Sequence, residues 1–316
     1  MLPQLAEDIE IVVYDTGSSD DTRERIERLA IEYPALRFFA APERQSLDEA
    51  LLRLLEVSCG EYVWFFSSDD QMKTGAMEAV RQRILRADER PALVYVNQEI
   101  VDEAGRLLID SQTGFAHDRD FADGRAIVPW LALNLGFISA SLIRRESVFA
   151  ISFAAGFVGT RSLNLHLYLC CLLGGGPALY IGKPFIRVRR VAGPPPYEYR
   201  KVFVRDIVRI FGDARRRGFS RFTIFRTMHR IVSGEYLRLV LSWRSDNPAE
   251  LARTFPEMLR TCWMYPAFWL FVVPVRLAPP RLARAVRDRL RRWRGRRNAR
   301  LESLKACAPD VRATQD

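Results

Sequence analysis

Short apolar runs alternate with amphipathic segments over the first 70 residues, and this alternation constrains the fold more than any other feature. The apolar runs at 9–13, 36–40 and 62–66 are typical of β-strands. Between them, residues 23–33 and 47–57 carry apolar side chains at helical spacing. Strands that alternate with helices predict an α/β fold, with a mostly parallel sheet flanked by helices.

The rest of the chain divides into a second α/β part and a helical, basic part. A run of three prolines at 194–196 favours an extended linker. We therefore predict an α/β domain over 1–192 and a helical, arginine-rich C-terminal region over 193–316. Further elements of the α/β domain are predicted as a helix at 75–87, a strand at 93–96, a strand within "GFISASLIRRE", a helix at 164–173 and one or two strands within "LYIGKPFIRVRR".

The positive charge of the chain is concentrated near its C-terminus. The formal net charge is +10 over 316 residues. Residues 281–300 contain ten arginines and one aspartate, a local charge of +9, so the remaining chain is close to neutral. With 48% hydrophobic and 27% charged residues, the composition is that of a folded protein and excludes a disordered one.

Neither the cysteines nor any apolar segment indicates a disulfide framework, a zinc site or a membrane span. The five cysteines form no CxxC pair and are odd in number, which predicts reduced thiols. The opening "MLPQLAEDIE" lacks the basic and apolar regions of a signal peptide. The apolar segment 265–275 is about half as long as the roughly 20 residues that span a bilayer.

Two adjacent carboxylates stand where the strand at 62–66 ends, within "EYVWFFSSDDQM". Asp69 and Asp70 repel each other, so keeping both ionised requires a divalent cation, a basic partner or open solvent. Mg²⁺ takes one or two protein carboxylates and fills its shell with water and substrate phosphates. The pair predicts a divalent-metal site, Mg²⁺ or Mn²⁺, for a nucleotide diphosphate. The alternative is a solvated turn that caps the next helix.

A third carboxylate, Asp15, ends the first predicted strand. The residues Thr16, Gly17 and Ser18 after it allow a tight turn with free backbone N–H groups. The carboxylate can accept a hydrogen bond from a base N–H or a ribose hydroxyl. Ligands of parallel sheets gather at the carboxyl ends of strands, where Asp15 and Asp69 both fall. Ordinary turn chemistry is the alternative.

Taken together, "IEIVVYDTGSSDDT" and "GEYVWFFSSDD" resemble the nucleotide-binding half of a family 2 glycosyltransferase with a GT-A fold. More narrowly, "SLDEALLRLLEVSCGEYVWFFSSDDQMKTGAMEAV", "GFISASLIRRE" and "FVGT" resemble the abequosyltransferase-like branch, which acts in O-antigen and other surface-polysaccharide assembly. The resemblance implies a hexosyltransferase that moves a sugar, with inversion, from a nucleotide-sugar donor to a glycan or polyprenyl-linked acceptor.

The resemblance also implies roles for individual residues. Asp69 would be the metal-binding end of the family's Asp-x-Asp motif, with Asp70 beside it as a second catalytic-site acid. The predicted donor-binding residues are Asp15, Gly17, Ser18, Asp48 and Ser68.

The chain departs from the family pattern at three places. The family's first strand and its "PTYN"-like loop precede the segment that begins here, so the resemblance implies a missing central strand. Ser67 stands at the first position of Asp-x-Asp and cannot neutralise a cation. Glu49 stands where this branch has a basic residue, so the phosphate contact of that residue is not expected.

A general base is not identified by the sequence. Inverting transfer needs a group that takes the proton of the acceptor hydroxyl. The family supplies a Glu-Asp pair where this chain has "FVGTRSLNLH", and 157–160 contains no acid. Substitutes are Asp118, Asp120, Glu146 and His166, although His166 lies on an apolar helical face typical of a packed core residue.

The basic tail indicates a surface that binds anions. In "RLARAVRDRLRRWRGRR", Leu282, Val286, Leu290 and Trp293 form one apolar stripe among arginines. Such a helix suits the headgroup region of an anionic membrane, so we predict membrane-surface attachment through 265–300. The protein would then be cytoplasmic and peripheral on the inner face of the cell membrane. One alternative is a solvated helix. Nucleic-acid binding is the other, and it is less favoured because no nucleic-acid module accompanies the tail.

Two other classes of function stay open. The departures from the family pattern also fit a non-catalytic relative that uses the fold as a binding or scaffold module. A nucleic-acid-binding protein is the second alternative, and binding would then survive deletion of 281–300.

Overall fold

The structure is a computed structural model that describes residues 1–149, 155–190, 198 and 200–289. The chain forms two compact units, Met1–Met228 and His229–Asp316. The proline run at 194–196, where the sequence predicts a domain boundary, lies outside the described residues.

The first unit begins with a two-stranded parallel sheet and its two helices. Strand β1 (Ile11–Asp15) pairs with β2 (Leu36–Ala40), with Asp15 opposite Ala40. Helix α1 (Thr22–Glu32) connects them, and α2 (Leu47–Val57) follows. The α2 helix begins at a capping box, because the Ser46 hydroxyl accepts the Glu49 N–H and the Glu49 carboxylate accepts the Ser46 N–H. Glu49 therefore stabilises a helix start.

A seven-stranded sheet forms the centre of the first unit. Its main path runs β3-β8-β5-β9-β4, with β6 on β5 and β7 on β9. The seven strands are β3 (Tyr62–Trp64), β4 (Asp70–Met72), β5 (Leu93–Val101), β6 (Leu107–Ile109), β7 (Arg119–Phe121), β8 (Ser141–Arg144) and β9 (Ala178–Arg189).

The α/β fold is confirmed, but the sheet is mixed and not mostly parallel. Among the strands that the structure describes, β1 with β2 and β5 with β9 run parallel, and the other pairs are antiparallel. Apolar runs indicate strands but carry no signal for strand direction, which depends on how the connections return.

Helices flank this sheet, and the second unit is helical over most of its described residues. The helices of the first unit after α2 are α3 (Ala76–Leu85), α4 (Ile127–Leu131), α5 (Arg145–Phe149), α6 (Leu163–Leu173) and α7 (Ile207–Arg217). Helix α8 (Arg221–Ile231) contains the division between the units, and α9 (Leu237–Asp246), α10 (Pro248–Cys262) and α11 (Val273–Leu277) follow.

The core lies around β5 and α6. Leu93, Val94, Tyr95 and Val96 of β5 are fully buried, as a strand covered on both faces requires. The α6 helix is apolar on nearly all sides and is buried from Leu163 to Leu172. Burial of each large apolar side chain contributes roughly 1.5–3 kcal/mol, so this strand and helix contribute strongly to the stability of the unit.

The two faces of β9 have different chemistry. Val188 pairs with Asp70 of β4 and with Ile100 of β5, so these three side chains share one face of the sheet. On the other face, the Glu99 carboxylate accepts hydrogen bonds from Lys73 Nζ at 2.9 Å and Arg187 Nε at 2.7 Å. Burial would raise the pKa of Glu99, but these two cations lower it below its ordinary value.

His166 is a core residue in the structure. It is 1% exposed, its ring stacks on Phe157 at 4.1 Å, and its Nε2 lies 3.0 Å from Asp213 Oδ2. Asp213 also accepts a hydrogen bond from Arg217 Nε at 2.5 Å. Burial lowers the pKa of His166, against the opposing effect of Asp213.

The buried His166 predicts a pH dependence of stability. Its pKa is lowered in the folded state, whereas the unfolded chain takes up the proton near pH 6.5. The unfolded state therefore binds more protons as the pH falls below 6.5, and the free energy of unfolding decreases, by up to about 1.4 kcal/mol per pH unit. Urea unfolding between pH 7 and 5 should give a flatter profile for His166→Gln. Equal slopes for the two proteins would contradict this expectation.

The described cysteines Cys59, Cys170, Cys171 and Cys262 are free thiols. None of the helices in the described part of the chain is both long and apolar enough to cross a bilayer. Within the second unit, Leu282 and Val286 of the predicted apolar stripe are exposed, and Leu290 and Trp293 lie outside the described residues.

Candidate active site

The loop from β3 to β4 is fixed by aromatic packing. Phe65 is 2% exposed, and Trp64 packs edge-on against Phe66 at 6.0 Å. Trp64 Nε1 donates a hydrogen bond to the Ser139 carbonyl at 2.8 Å. The aromatic run therefore anchors the strand and leaves the polar residues after it at the edge of the sheet.

Asp70 is held by a buried serine. The hydroxyl of Ser139, a fully buried residue, donates to Asp70 Oδ2 at 2.6 Å and accepts the Ser67 N–H at 2.9 Å. Burial raises the pKa of Asp70 to about 6, the Ser139 hydrogen bond opposes this rise, and the charge of Asp69 adds to it. A cation beside the two acids would favour the ionised form of Asp70.

Asp69 is exposed at the tip of the same loop. Its Oδ1 accepts a hydrogen bond from the Ser67 hydroxyl. Ser67 therefore orients the Asp69 carboxylate, although Ser67 itself carries no charge for a cation. Ser68 is exposed beside it. Among the described residues no group of three or more His, Cys, Asp or Glu side chains could hold a metal ion. The two adjacent carboxylates nevertheless fit Mg²⁺ or Mn²⁺, whose other ligands would be water and substrate phosphates.

We predict that Ser139 positions Asp70. Ser139→Ala removes one hydrogen bond from the carboxylate and leaves the Ser67 N–H without its acceptor, so metal-dependent nucleotide-sugar affinity should fall about tenfold. The pKa of Asp70 should also rise, because the lost hydrogen bond lowers it in the native protein. Calorimetry and carboxyl NMR titration measure the two effects.

Ser141→Ala is the matched control for this change. Ser141 is equally buried, but its Oγ has no hydrogen-bond partner among the described residues. If both variants bind the nucleotide sugar as the native protein does, Ser139 has no positioning role.

Asp15 ends β1 as predicted, and its carboxylate closes its own turn. Asp15 Oδ1 accepts hydrogen bonds from the Ser18 N–H at 2.9 Å and the Ser18 hydroxyl at 2.6 Å. The hydroxyl contact lowers the pKa of Asp15. Gly17 has φ 101°, and a Cβ there would lie 3.2 Å from Arg44 Cα, so the turn needs glycine. The turn leaves Asp15 ionised at the strand end.

Asp48 is 1% exposed and binds a loop that is distant in sequence. Its Oδ2 accepts the backbone N–H groups of Gly159 at 2.7 Å and Arg161 at 2.9 Å. Its Oδ1 is buried and has no hydrogen-bond partner among the described residues. The observed contacts join α2 to the segment before α6, and a donor contact by Asp48 stays a prediction.

The structure assembles the predicted residues in three groups. Asp69 ends the β3–β4 loop and Asp70 begins β4, Asp15 and Ser18 share a turn, and Asp48 binds the 159–161 loop. No hydrogen bond or ion pair between described residues links the turn to the β3–β4 loop. Sequence reasoning missed Ser139, although it lies within the "GFISASLIRRE" segment that carried part of the resemblance.

The candidate bases other than His166 are engaged in ion pairs or hydrogen bonds. Asp118 Oδ1 accepts the Gly182 N–H at 2.9 Å, and Asp120 pairs with Arg83. Glu146 pairs with Arg144 at 3.0 Å. The general base therefore stays unassigned.

The structure has the GT-A glycosyltransferase fold. The structure is similar to that of S. aureus TarS residues 1–349 in complex with UDP-GlcNAc, with a TM-score of 0.58 and 14% sequence identity. The match covers 80% of this chain and 70% of the TarS chain. The same protein in complex with UDP gives a TM-score of 0.58 over 89% of this chain and 79% of that one, at 14% identity.

The sequence itself matches the family model described as "Glycosyl transferase family 2" over residues 1–146. A curated relative is the GalNAc(5)-diNAcBac-PP-undecaprenol beta-1,3-glucosyltransferase of Campylobacter jejuni, which is 30% identical over 101 residues. The matching stretch covers 32% of this chain and 31% of the relative, so the match spans about a third of either protein.

Proposed function

We propose that this protein is a glycosyltransferase that moves a sugar from a nucleotide-sugar donor to a glycan or lipid-linked acceptor in bacterial surface-polysaccharide synthesis. The observation that carries the proposal is the exposed Asp69, just before β4, beside the half-buried Asp70 that begins this strand, on a GT-A fold. The donor bound to TarS and the polyprenol-linked acceptor named for the Campylobacter relative support it.

We assign the residues of the site as follows. Asp69, with Asp70 supporting it, would hold a divalent metal, Mg²⁺ or Mn²⁺, which when bound neutralises the charge that develops on the leaving diphosphate. Ser67 and Ser139 orient the two carboxylates. Asp15, Gly17 and Ser18 bind the nucleoside, and Asp48 and Ser68 complete the donor site. Attack by the acceptor hydroxyl inverts the anomeric carbon.

Calorimetry tests this function. UDP-, GDP- and CDP-sugars are titrated into the whole chain with Mn²⁺, and one of them should bind with an affinity that EDTA removes. If none of the three nucleotide sugars binds in a metal-dependent way, the proposed enzyme function is wrong and a binding or scaffold module is favoured.

Within this class we propose the abequosyltransferase-like branch, with an additional strand between β1 and β3. Among the described strands β1 pairs with β2 alone and β3 with β8 alone, so each has an open edge. The edges start close together, because Glu10 accepts the N–H groups of Cys59 and Gly60 just before β3. Every β1 side chain is half-exposed, although Ile11–Tyr14 are apolar or aromatic. In this chain the β1 amides on the edge away from β2 should exchange quickly with solvent. They should become protected when an added extended segment pairs with β1 in the place of the proposed strand.

We also propose that the second unit attaches to the inner face of the cell membrane from the cytoplasm. Its described residues expose large apolar side chains within 263–271 and, further along the chain, the arginines Arg281, Arg284 and Arg289. Exposed aromatic and apolar side chains with arginines suit an anionic headgroup region. The exposed apolar side chains within 263–271 are Trp263, Met264, Trp269, Leu270 and Phe271.

Vesicle binding tests the attachment. The double substitution Trp269→Ser with Leu270→Ser should weaken sedimentation with phosphatidylglycerol-containing vesicles at least tenfold, since each buried apolar side chain contributes roughly 1.5–3 kcal/mol. Leu85→Ser removes an equally exposed apolar side chain from α3 and should change nothing. Equal loss in both variants, or equal binding to phosphatidylcholine vesicles, would contradict the proposal.

A further inference from the structure

A cavity of about 370 Å³ adjoins the acidic loop on the same face of the sheet. Val188 lines it, and Val188 pairs with Asp70 across the β4–β9 ladder. Phe137 also lines it, two residues before the serine that holds Asp70. The volume is that of a small-molecule site, and the position is next to the carboxylates that would hold the donor.

Two side chains that line this cavity have a hydrogen-bonding group without a partner among the described residues. Gln98 is 2% exposed, and its Oε1 accepts from the Tyr95 hydroxyl at 3.2 Å, while its Nε2 donates to no described residue. Ser162 is 8% exposed, and its Oγ makes no hydrogen bond to a described residue. Neither atom is fully shielded from solvent, so a ligand that supplies oxygen acceptors can accept hydrogen bonds from both groups.

The charge of the cavity is positive. Of the described residues that line it, Arg161 alone is charged. Its exposed guanidinium makes no ion pair or hydrogen bond with a described residue. Asp206, in the neighbouring segment, does not line the cavity and pairs with Arg209 at 3.6 Å. Ser162 does not cap α6 with its side chain, and the first turn of α6 has no acid, so its N-terminus adds a partial positive charge.

Arg161 is held in a conformation that arginine rarely adopts. Its φ is 55°, in the left-handed region. Asp48 maintains it by accepting the N–H groups of both Gly159 and Arg161. Unfavourable backbone that other residues hold in place concentrates at ligand sites, and here the residue held in this conformation lines the cavity.

We propose that this cavity binds the acceptor and selects one that carries an anionic group, a phosphate or a carboxylate, through Arg161 and Ser162. The acceptor role rests on the proposed glycosyltransferase function. The apolar walls, which include Phe137 and Phe203, would pack against a sugar ring while the Gln98 amide donates to its oxygens. Asp48 acts as a positioning residue for Arg161.

Paired probes test the selectivity. The whole protein is titrated with N-acetylglucosamine 1-phosphate against N-acetylglucosamine, and with glucuronate against glucose. At least one anionic probe should bind about tenfold more tightly than its neutral partner, and the better pair identifies phosphate or carboxylate as the group recognised. UDP at saturation should leave this preference unchanged.

Arg161→Gly is the variant of choice, because glycine tolerates the positive φ and the fold is kept. It should abolish the preference for the anion, and Arg161→Lys should keep part of it. Arg215→Ala removes an exposed arginine from α7 and should have no effect. Asp48→Asn should reduce the preference in the native sequence and do nothing in the Arg161→Gly background, a dependence that general loosening of the fold would not produce.

Three results would overturn the proposal. The first is an equal affinity for anionic and neutral probes, and the second is a preference that Arg161→Gly leaves intact. The third is a loss of UDP affinity in Arg161→Gly as large as that in Asp69→Asn, which would make Arg161 a donor ligand. Absence of metal-dependent nucleotide-sugar binding in the native protein would overturn the proposed glycosyltransferase function and, with it, the acceptor role of the cavity. It would not affect the anion preference, which is measured without donor.

Discussion

Replacing Asp69 with asparagine is expected to lower kcat/KM for sugar transfer about a thousandfold. Asp69 is the exposed carboxylate of the β3–β4 loop, and the uncharged Ser67, two residues before it, donates a hydrogen bond to it. Asparagine keeps the shape and the contact with Ser67 but removes the charge that balances a divalent cation. Loss of one group that stabilises transition-state charge costs about 10²–10³ in rate, and weaker metal binding adds to this.

The measurement is transfer rate against Mn²⁺ concentration. Asp69→Asn should require far more Mn²⁺ for half-maximal rate and should bind free nucleotide less tightly. Glu78→Gln removes an exposed carboxylate from the first turn of α3 and serves as the control. A variant as active as the native protein at low Mn²⁺ would remove Asp69 from the metal site.

The largest loss of stability is expected from Gly182→Ala. A Cβ at Gly182 would lie 2.5 Å from the backbone C and O atoms of Ala116, which cannot move aside as a flexible side chain can. The Gly182 N–H also donates to Asp118 Oδ1, and its carbonyl accepts from Asn97 Nδ2, both at 2.9 Å. Forced movement of this backbone should reduce the free energy of unfolding by about 3 kcal/mol.

Gly212→Ala gives the matched comparison. Gly212 lies inside α7, and a Cβ there meets no atom within 4 Å. Alanine should stabilise this helix by about 0.5–1 kcal/mol. Urea unfolding of the two variants measures both effects, and similar midpoints would show that the 116–117 segment yields without cost.

Local patterns predicted individual elements well. The strand at 36–40 and the helix at 47–57 have the bounds expected from their apolar spacing. The position of Asp15 at a strand end and of Asp69 after a strand also followed from the sequence. These features depend on residues a few positions apart, so side-chain periodicity and turn chemistry are sufficient to find them.

Long-range features were not predictable in the same way. The strand β4, which begins at Asp70, is only three residues long and exists because β9 offers it a partner more than a hundred residues later. The contacts of Asp48 with the 159–161 loop likewise join segments about 110 residues apart. Neither the direction of a strand nor the positive φ of Arg161 leaves a periodic signal in the sequence.

The alternation along β9 constrains how this protein can evolve. Because Val188 faces the cavity and Arg187 faces Glu99, substitutions on either side can accumulate independently, and acceptor preference can drift without disturbing the ion pairs behind it. Insertion or deletion of a single residue in β9 would move every following side chain of the strand to the opposite face of the sheet. Relatives should therefore vary in composition along β9 while keeping its length.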